Sequence, residues 1–305
     1  CLPLMEVNSF LTGKRGVSLP FTDFCDPLVT GATHYRDLIE FAVNFGKDRH
    51  WKCLELRGGD ISNILSFHHS PDSSDRNKRD ERNQRYTTFS HHILDLSIGT
   101  ERLFKNLRES TRRNIRKAEK EGVSVRFATE LEAVKIYFHL HCLTRKRHGV
   151  PPQPWLFFKN IYKNLILADK GLVALADYQG KEIAGAVYLT FGNSTIYKFG
   201  ASDQSFQNLR ANNRVMWEAV CRLAEAGFRT LSFGRTETEN QGLIQFKSGW
   251  GAVEENLDYF RYDYNVQDFI SGNWKGLAGY EKVFQKLPKS ALRLMGKALY
   301  RHFGS

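Results

Sequence analysis

Between Leu172 and Ser202 the chain reads LVALADY, EIAGAVYLTF and TIYKFGAS, three β-rich runs set apart by turn residues at 179–181 and 192–194. Runs this close together leave room only for tight reversals, so they predict three consecutive antiparallel strands. Helices are predicted on both sides. Upstream, a strand at Val123–Ala128 and a helix from about Glu130 to Arg147 lead into PPQP at 151–154, whose prolines force extended or turn geometry before a helix near Trp155–Ala168. Downstream, Val215, Met216, Ala219, Val220, Leu223 and Ala224 mark one helical face, stopped at Gly227. A strand TLSFG, a short helical or turn segment through Gln245–Gly249 and an alternating strand near Asn256–Tyr264 follow. The expected class is therefore mixed α/β, with largely antiparallel strands flanked by helices.

Ahead of this unit, strands are expected at Leu2–Val7, Val17–Phe21, Trp51–Leu56 and His91–Ser97, with a helix from about His34 to Lys47. The stretch from His68 to Arg85 contains no aliphatic or aromatic residue and reads as a surface loop. A helix is expected from Glu101 to Glu121, with Leu103, Phe104, Leu107, Thr111, Ile115 and Ala118 on one side. Lys105, Arg108, Arg112, Arg116 and Lys120 then form a basic stripe on the other. Such a stripe is either a solvated face or a track for phosphates and RNA backbone.

At 305 residues, two domains are expected. The net charge of +11 makes an anionic partner worth seeking, be it nucleic acid, a phosphorylated donor or an acidic membrane surface. Five scattered cysteines, Cys1, Cys25, Cys53, Cys142 and Cys221, have neither metal-ligand nor disulfide spacing, which points to the reducing cytoplasm. No targeting segment is apparent at the start, and no run reaches the ~18 apolar residues of a transmembrane helix. A Ser/His/Asp order, a metal box and a nucleotide-binding glycine loop are all lacking, so hydrolase, metalloenzyme and kinase readings have little support. In the tail, Lys289, Arg293, Lys297 and Arg301 recur every four residues opposite Leu292, Met295, Leu299 and Phe303. That amphipathic segment, 288–303, either packs on the domain or makes a peripheral contact with the inner face of an anionic membrane.

Five segments in order, LPLMEVNS with SLPF, STRRNIRKAEKEGV (110–123), YKFGAS (197–202), AEAGFRTLSFGRT (224–236) and GLIQFKSGWGA (242–252), resemble the FemAB-like branch of the GNAT acyltransferase superfamily. The resemblance spans nearly the whole chain. It implies tandem GNAT-like domains: a first one over 1–122 that lacks its opening strands and includes the basic helix, a second over 123–266, and a helical tail over 267–305. It also implies acyl or aminoacyl transfer to an amine or hydroxyl of a cell-envelope or small-molecule acceptor. The best-known members are peptidoglycan-bridge enzymes that use aminoacyl-tRNA.

No tightly bound cofactor is expected, only an acyl donor as co-substrate: aminoacyl-tRNA, acyl-CoA or an acyl carrier. GNAT enzymes that use acetyl-CoA hold its pyrophosphate on a Gly-rich loop at a helix N-terminus. The matching loop here, QNLRANNRV (207–215), has no glycine, although Arg210 and Arg214 supply charge and Asn212 or Asn213 can cap the helix. Lys247 in FKSGWG matches the family lysine held to contact donor phosphate or stabilise the tetrahedral intermediate, with Phe246 and Trp250 framing its stem. Arg235, after LSFG, is assigned anion binding and Glu237 the role of general base. Tyr197 is expected to line the site, Arg112 and Arg116 to reach a donor phosphate, and Arg147 with His148 to contact the acceptor. The alternative is a non-catalytic RNA- or membrane-surface-binding protein on the same scaffold.

Overall fold

A computed structural model describes residues 1–59, 86–271 and 279–303. The surface loop expected over 68–85 lies outside the described residues. Contacts divide the chain into two compact units, one of 1–90, 256–276 and 299–305, the other of 91–255 and 277–298. The division falls inside two strands, and it groups the basic helical region with the second unit.

In the first unit, strands β1 (Met5–Ser9) and β2 (Gly13–Val17) form a hairpin, with Val7 opposite Arg15. Strand β3 (Cys53–Arg57) runs parallel to β2 and antiparallel to β10 (Val253–Asp263), which also pairs with the short β11 (Asp268–Ile270). Helix α1 (Ala32–Asp48) buries Tyr35, Ile39, Ala42 and Val43 against Trp51, Leu54, Leu56, Phe260 and Phe269. The strand expected over Val17–Phe21 is displaced towards the N-terminus, because Leu19 and Phe21 adopt φ values of 45° and 71°, which a strand does not allow. Strand β4 (Tyr86–Asp95) begins in this unit and leaves it after Ser90.

The second unit holds the predicted meander. Strands β6 (Gly171–Tyr178), β7 (Lys181–Phe191) and β8 (Ser194–Ser202) are antiparallel neighbours, with β5 (Ser124–Ala128) antiparallel to β6. Side chains alternate across the pleat, so the two faces have different partners. Val173, Leu175 and Val187 join α4 (Leu131–Arg147) and α5 (Trp155–Asn164), through Tyr137, Phe138 and Phe158. Ala174, Ala176, Ala184 and Ala186 join a core with residues of the basic region and of α6 (Ala211–Glu225). Small alanines on this face let α6 approach the sheet closely.

The single helix expected over Glu101–Glu121 is two helices, α2 (Thr100–Asn106) and α3 (Glu109–Lys120). Leu107 and Arg108 are extended between them, with ψ of 141° and 144°. The break has a tertiary cause. Leu107 is buried in the core, and the Arg108 N–H donates to the Gly249 carbonyl at 3.0 Å instead of to a helical partner. Helical periodicity in the sequence cannot register that competition.

The remaining elements are β9 (Thr230–Glu237), α7 (Gln241–Ser248), α8 (Glu281–Lys286) and α9 (Lys289–Phe303). Strand β9 continues through Arg235 and Glu237, which were expected just beyond it. In α9, Leu292 is buried while Lys289, Arg293, Lys297 and Arg301 are exposed. Gly296 lies against the Pro152 carbonyl, so this part of the tail packs on its own unit. No helix among the described residues is long and apolar enough to cross a membrane.

Candidate functional site

Strands β8 and β9 run parallel, but their ladder covers only Ser194–Ile196 against Thr230–Ser232. Both strands continue beyond it, β8 to Ser202 and β9 to Glu237, so the sheet opens between their carboxyl ends. In α/β sheets, a crevice beyond the carboxyl ends of diverging strands is where ligands are taken up. Two irregularities of the backbone lie beside it. On β8 the register with β7 shifts between Val187 and Tyr188, which leaves Lys198 as an extra residue and breaks the simple alternation of Tyr197 and Lys198. On β9, Gly234 takes φ of +69°, a left-handed value that glycine alone adopts at no steric cost.

That turn of the β9 backbone presents carbonyls to a buried cation. Lys247, on α7, is only 3% exposed, and its Nζ donates to the carbonyls of Gly234 at 2.7 Å and Arg235 at 3.1 Å. Lys247 and Arg235 are therefore brought together, through the backbone of the latter. Arg235 is partly buried and Glu237, at the strand's end, is exposed. Between them, Thr236 is fully buried with an unpartnered hydroxyl.

Tyr197 lies opposite Tyr188, its ring 5.6 Å away and that of Phe233 6.3 Å away. Its hydroxyl occupies the space a Cβ on Gly200 would need. Burial pushes the Tyr197 phenol up to about 12, so it is a neutral hydrogen-bonding group at ordinary pH. The end of β8 is tied to α4 by Thr144, whose Oγ1 accepts from the Ser202 N–H (2.9 Å) and donates to the Ser202 carbonyl (3.1 Å).

Helix α6 starts beside the crevice, directly after the β8 segment and a 3-10 turn at Gln204–Leu209. Arg210 is its N-cap in a left-handed conformation, with no side-chain cap. The expected capping by Asn212 or Asn213 does not occur, since both lie inside the first turn, and Asn212 donates instead to Ser202 Oγ at 3.2 Å. Arg214 is engaged by two carboxylates, Glu218 at 2.9 Å and Glu119 at 3.5 Å.

The other expected site residues are dispersed. Arg112 and Arg116 line a groove formed with α2. Arg147 and His148 sit at the end of α4, where the Arg147 carbonyl accepts from Gln285 and burial lowers the His148 pKa. Trp250, expected to contact the donor, is fully enclosed in the core.

Sequence reasoning missed the polar cluster behind Lys247. His92 is completely buried, with Nε2 3.1 Å from Ser248 Oγ and 3.9 Å from the Glu254 carboxylate. Burial pushes His92 below its ordinary value; Glu254 pulls it back up, while Lys247 adds to the lowering. Beside it, His91 Nε2 lies 2.8 Å from Ser232 Oγ, which also accepts the Gly234 N–H. The only available signal was the pair of histidines in HHILDLS, which strand alternation sends to opposite faces.

Residues 105–248 match the acetyltransferase (GNAT) domain family. The lipid II:glycine glycyltransferase of Staphylococcus epidermidis is 28% identical over 141 residues, 44% of this chain and 32% of that protein. The enzyme of the same name from Staphylococcus aureus is 29% identical over 94 residues, 28% of this chain and 22% of that protein. The matched stretch is thus a third or less of these curated relatives. Among solved structures, FemX superposes with a TM-score of 0.61 at 16% identity, over 84% of this chain and 83% of that one. The C-terminal domain of a putative lysylphosphatidylglycerol synthetase from Agrobacterium fabrum gives 0.57 at 10% identity, over 99% and 86%. These two likenesses concern the fold. Residues 105–248 are thus similar to the GNAT acetyltransferase domain, and part of the chain to the glycyltransferases.

Proposed function

We propose that this protein is an acyltransferase that moves an activated aminoacyl group onto an amine of a cell-envelope precursor. The observation that carries the reading is the buried Lys247 ammonium, fixed on the β9 carbonyls where β8 and β9 part. In the reaction the acceptor amine attacks the carbonyl carbon of the donor ester. A C–N bond forms, the ester C–O bond breaks, and the amine proton leaves with the departing oxygen. Negative charge gathers on the carbonyl oxygen in between, and a preorganised cation in a poorly solvated crevice stabilises it without reorganising. Arg235 binds the anionic part of the donor, Tyr197 lines the crevice as a neutral donor, and Glu237 accepts the amine proton at its mouth and passes it to the departing oxygen. Arg147 and His148 contact the acceptor.

An ester-linked donor such as aminoacyl-tRNA is favoured over acyl-CoA by the entrance to α6. A pyrophosphate-binding turn needs close backbone approach, whereas here Arg210 occupies the left-handed position with a full side chain and Arg214 is already held by Glu119 and Glu218. The acceptor class comes from the glycyltransferase relatives. Transfer assays with charged tRNA, acyl-CoA and acyl-carrier donors against an amine-bearing cell-wall precursor test the reading. Product from charged tRNA supports it, and product from acyl-CoA alone refutes the donor assignment.

The second reading, a non-catalytic binding protein on this scaffold, draws on the same lysine, because its ammonium is tied to the β9 backbone carbonyls. It predicts no turnover with any donor and unchanged ligand affinity on replacing Lys247.

A further inference from the structure

The break between α2 and α3 does more than end a helix. It folds the carboxyl end of α2 over the basic side of α3 and creates a groove of about 610 Å³ lined by Glu101, Phe104, Lys105, Glu109, Arg112, Arg113 and Arg116. Two of its arginines are held in place. Arg112 Nη1 donates to the Lys105 carbonyl at 2.8 Å, and the Arg116 guanidinium lies 5.5 Å from the centre of the Phe104 ring. Phe104 is itself steadied by Trp217, 5.1 Å away. The two carboxylates belong to the first turns of α2 and α3, where they answer the positive ends of those helices. Among the described residues neither forms an ion pair with the four cations of the groove. The cations outnumber them, and Arg112 and Arg116 stand one helical turn, about 6 Å, apart on α3.

We infer that this groove is a binding site for an oligophosphate group, a diphosphate or a run of phosphodiesters, recognised by Lys105, Arg112, Arg113 and Arg116. Planar guanidinium groups bind phosphate oxygens in pairs, and arginines whose orientation is already fixed lose less freedom on doing so. Glu101 and Glu109 leave the groove a net charge of two, and Arg112 and Arg116, one turn apart, can each take one phosphate of a linked pair. The volume is that of a small-ligand pocket and suits one nucleotide-sized segment. Such a group is found either in a small diphosphate ester or in the backbone of an RNA strand. The groove shares no residue with the Lys247 cluster, and its test reads binding instead of transfer.

The test uses the full chain at low salt with two probes, inorganic pyrophosphate by calorimetry and a fluorescein-labelled single-stranded RNA octamer by anisotropy. Arg113→Glu with Arg116→Glu is compared with Lys289→Glu with Lys297→Glu, which removes the same charge from exposed positions on α9. Circular dichroism melts accompany both, with Arg113→Gln and Arg116→Gln as the milder groove pair should charge reversal lower the Tm. The groove variant is expected to weaken binding of at least one probe by about tenfold or more, with the α9 variant close to wild type. For RNA, the slope of log K against log salt should also fall by about 1 to 2. Pyrophosphate binding without a gain for RNA identifies a small diphosphate ester as the source, and preferential RNA binding identifies the strand. If neither probe binds the wild type, or if both variants lose affinity equally, the groove is not an oligophosphate site.

Discussion

Lys247 Nζ lies 2.7 Å from the carbonyl oxygen of Gly234, a residue whose φ of +69° turns the β9 backbone at the point where β8 has already separated from it. A buried ammonium and a glycine-dependent backbone bend thus define each other's position, and both belong to the GNAT-matched part of the chain. Several consequences are measurable.

Lys247→Met should destabilise the protein. The methionine fills the stem's volume but leaves the Gly234 and Arg235 carbonyls without their donor, and each unsatisfied buried group costs about 1–3 kcal/mol. Urea denaturation should show a loss of roughly 2 kcal/mol or more with an unchanged m-value. An unchanged midpoint would mean the lysine is not held as described.

Gly234→Ala should cost about 1–2 kcal/mol, because a Cβ is strained at positive φ. It should reduce transfer by more than the stability loss explains, since relaxing the bend moves the carbonyls that aim Lys247. Rates compared well below the melting temperature separate the two effects, and a fall in stability with full activity would detach the bend from function.

Trp250→Phe should leave the affinity for donor unchanged, because the indole is enclosed in the core. Its cost should stay below the ~3–5 kcal/mol of a Trp→Ala cavity, partly because the buried Nε1 has no partner to lose. Donor titrations and chemical melts of Trp250→Phe and Trp250→Ala check this. A rise in donor Kd for Trp250→Phe would return the residue to the binding site.

Much of this was legible in the sequence. The meander, α6 and the order of elements followed from periodicity and turn residues. What was not legible depended on tertiary partners. The α2–α3 break comes from Arg108 bonding to Gly249, which is far away in the sequence. His92 reads as an ordinary strand residue until Ser248 and Glu254 are placed beside it. Trp250 and Lys247 are near neighbours, yet the aromatic ring faces the core whereas the lysine's ammonium reaches β9, a division that spacing alone does not reveal.

His141 supplies a pH dependence. Burial, aided by the Arg145 charge, depresses it to about 3, while Gln153 Oε1, which accepts from Nε2 across 2.6 Å, opposes the shift. The unfolded chain takes up this proton near pH 6.5 and the native protein only near pH 3, so the unfolded state binds more protons in between. Stability should therefore rise with pH through that window and be lost progressively as pH falls below about 6.5. His141→Gln should flatten this limb in urea melts run between pH 4 and 7, and an equally steep limb in the variant would place the titration elsewhere.

The most direct measurement is single-turnover transfer from charged tRNA to an amine-bearing cell-wall precursor by wild type, Lys247→Arg and Lys247→Met, with each protein verified as folded. The account predicts product with the wild type and a drop of about 100-fold or more with Lys247→Met, the size seen when an oxyanion-stabilising group is removed. Lys247→Arg should be impaired as well, because a planar guanidinium cannot reproduce the ammonium's contacts with the two β9 carbonyls. Wild-type turnover that persists undiminished in a folded Lys247→Met protein would contradict the central claim.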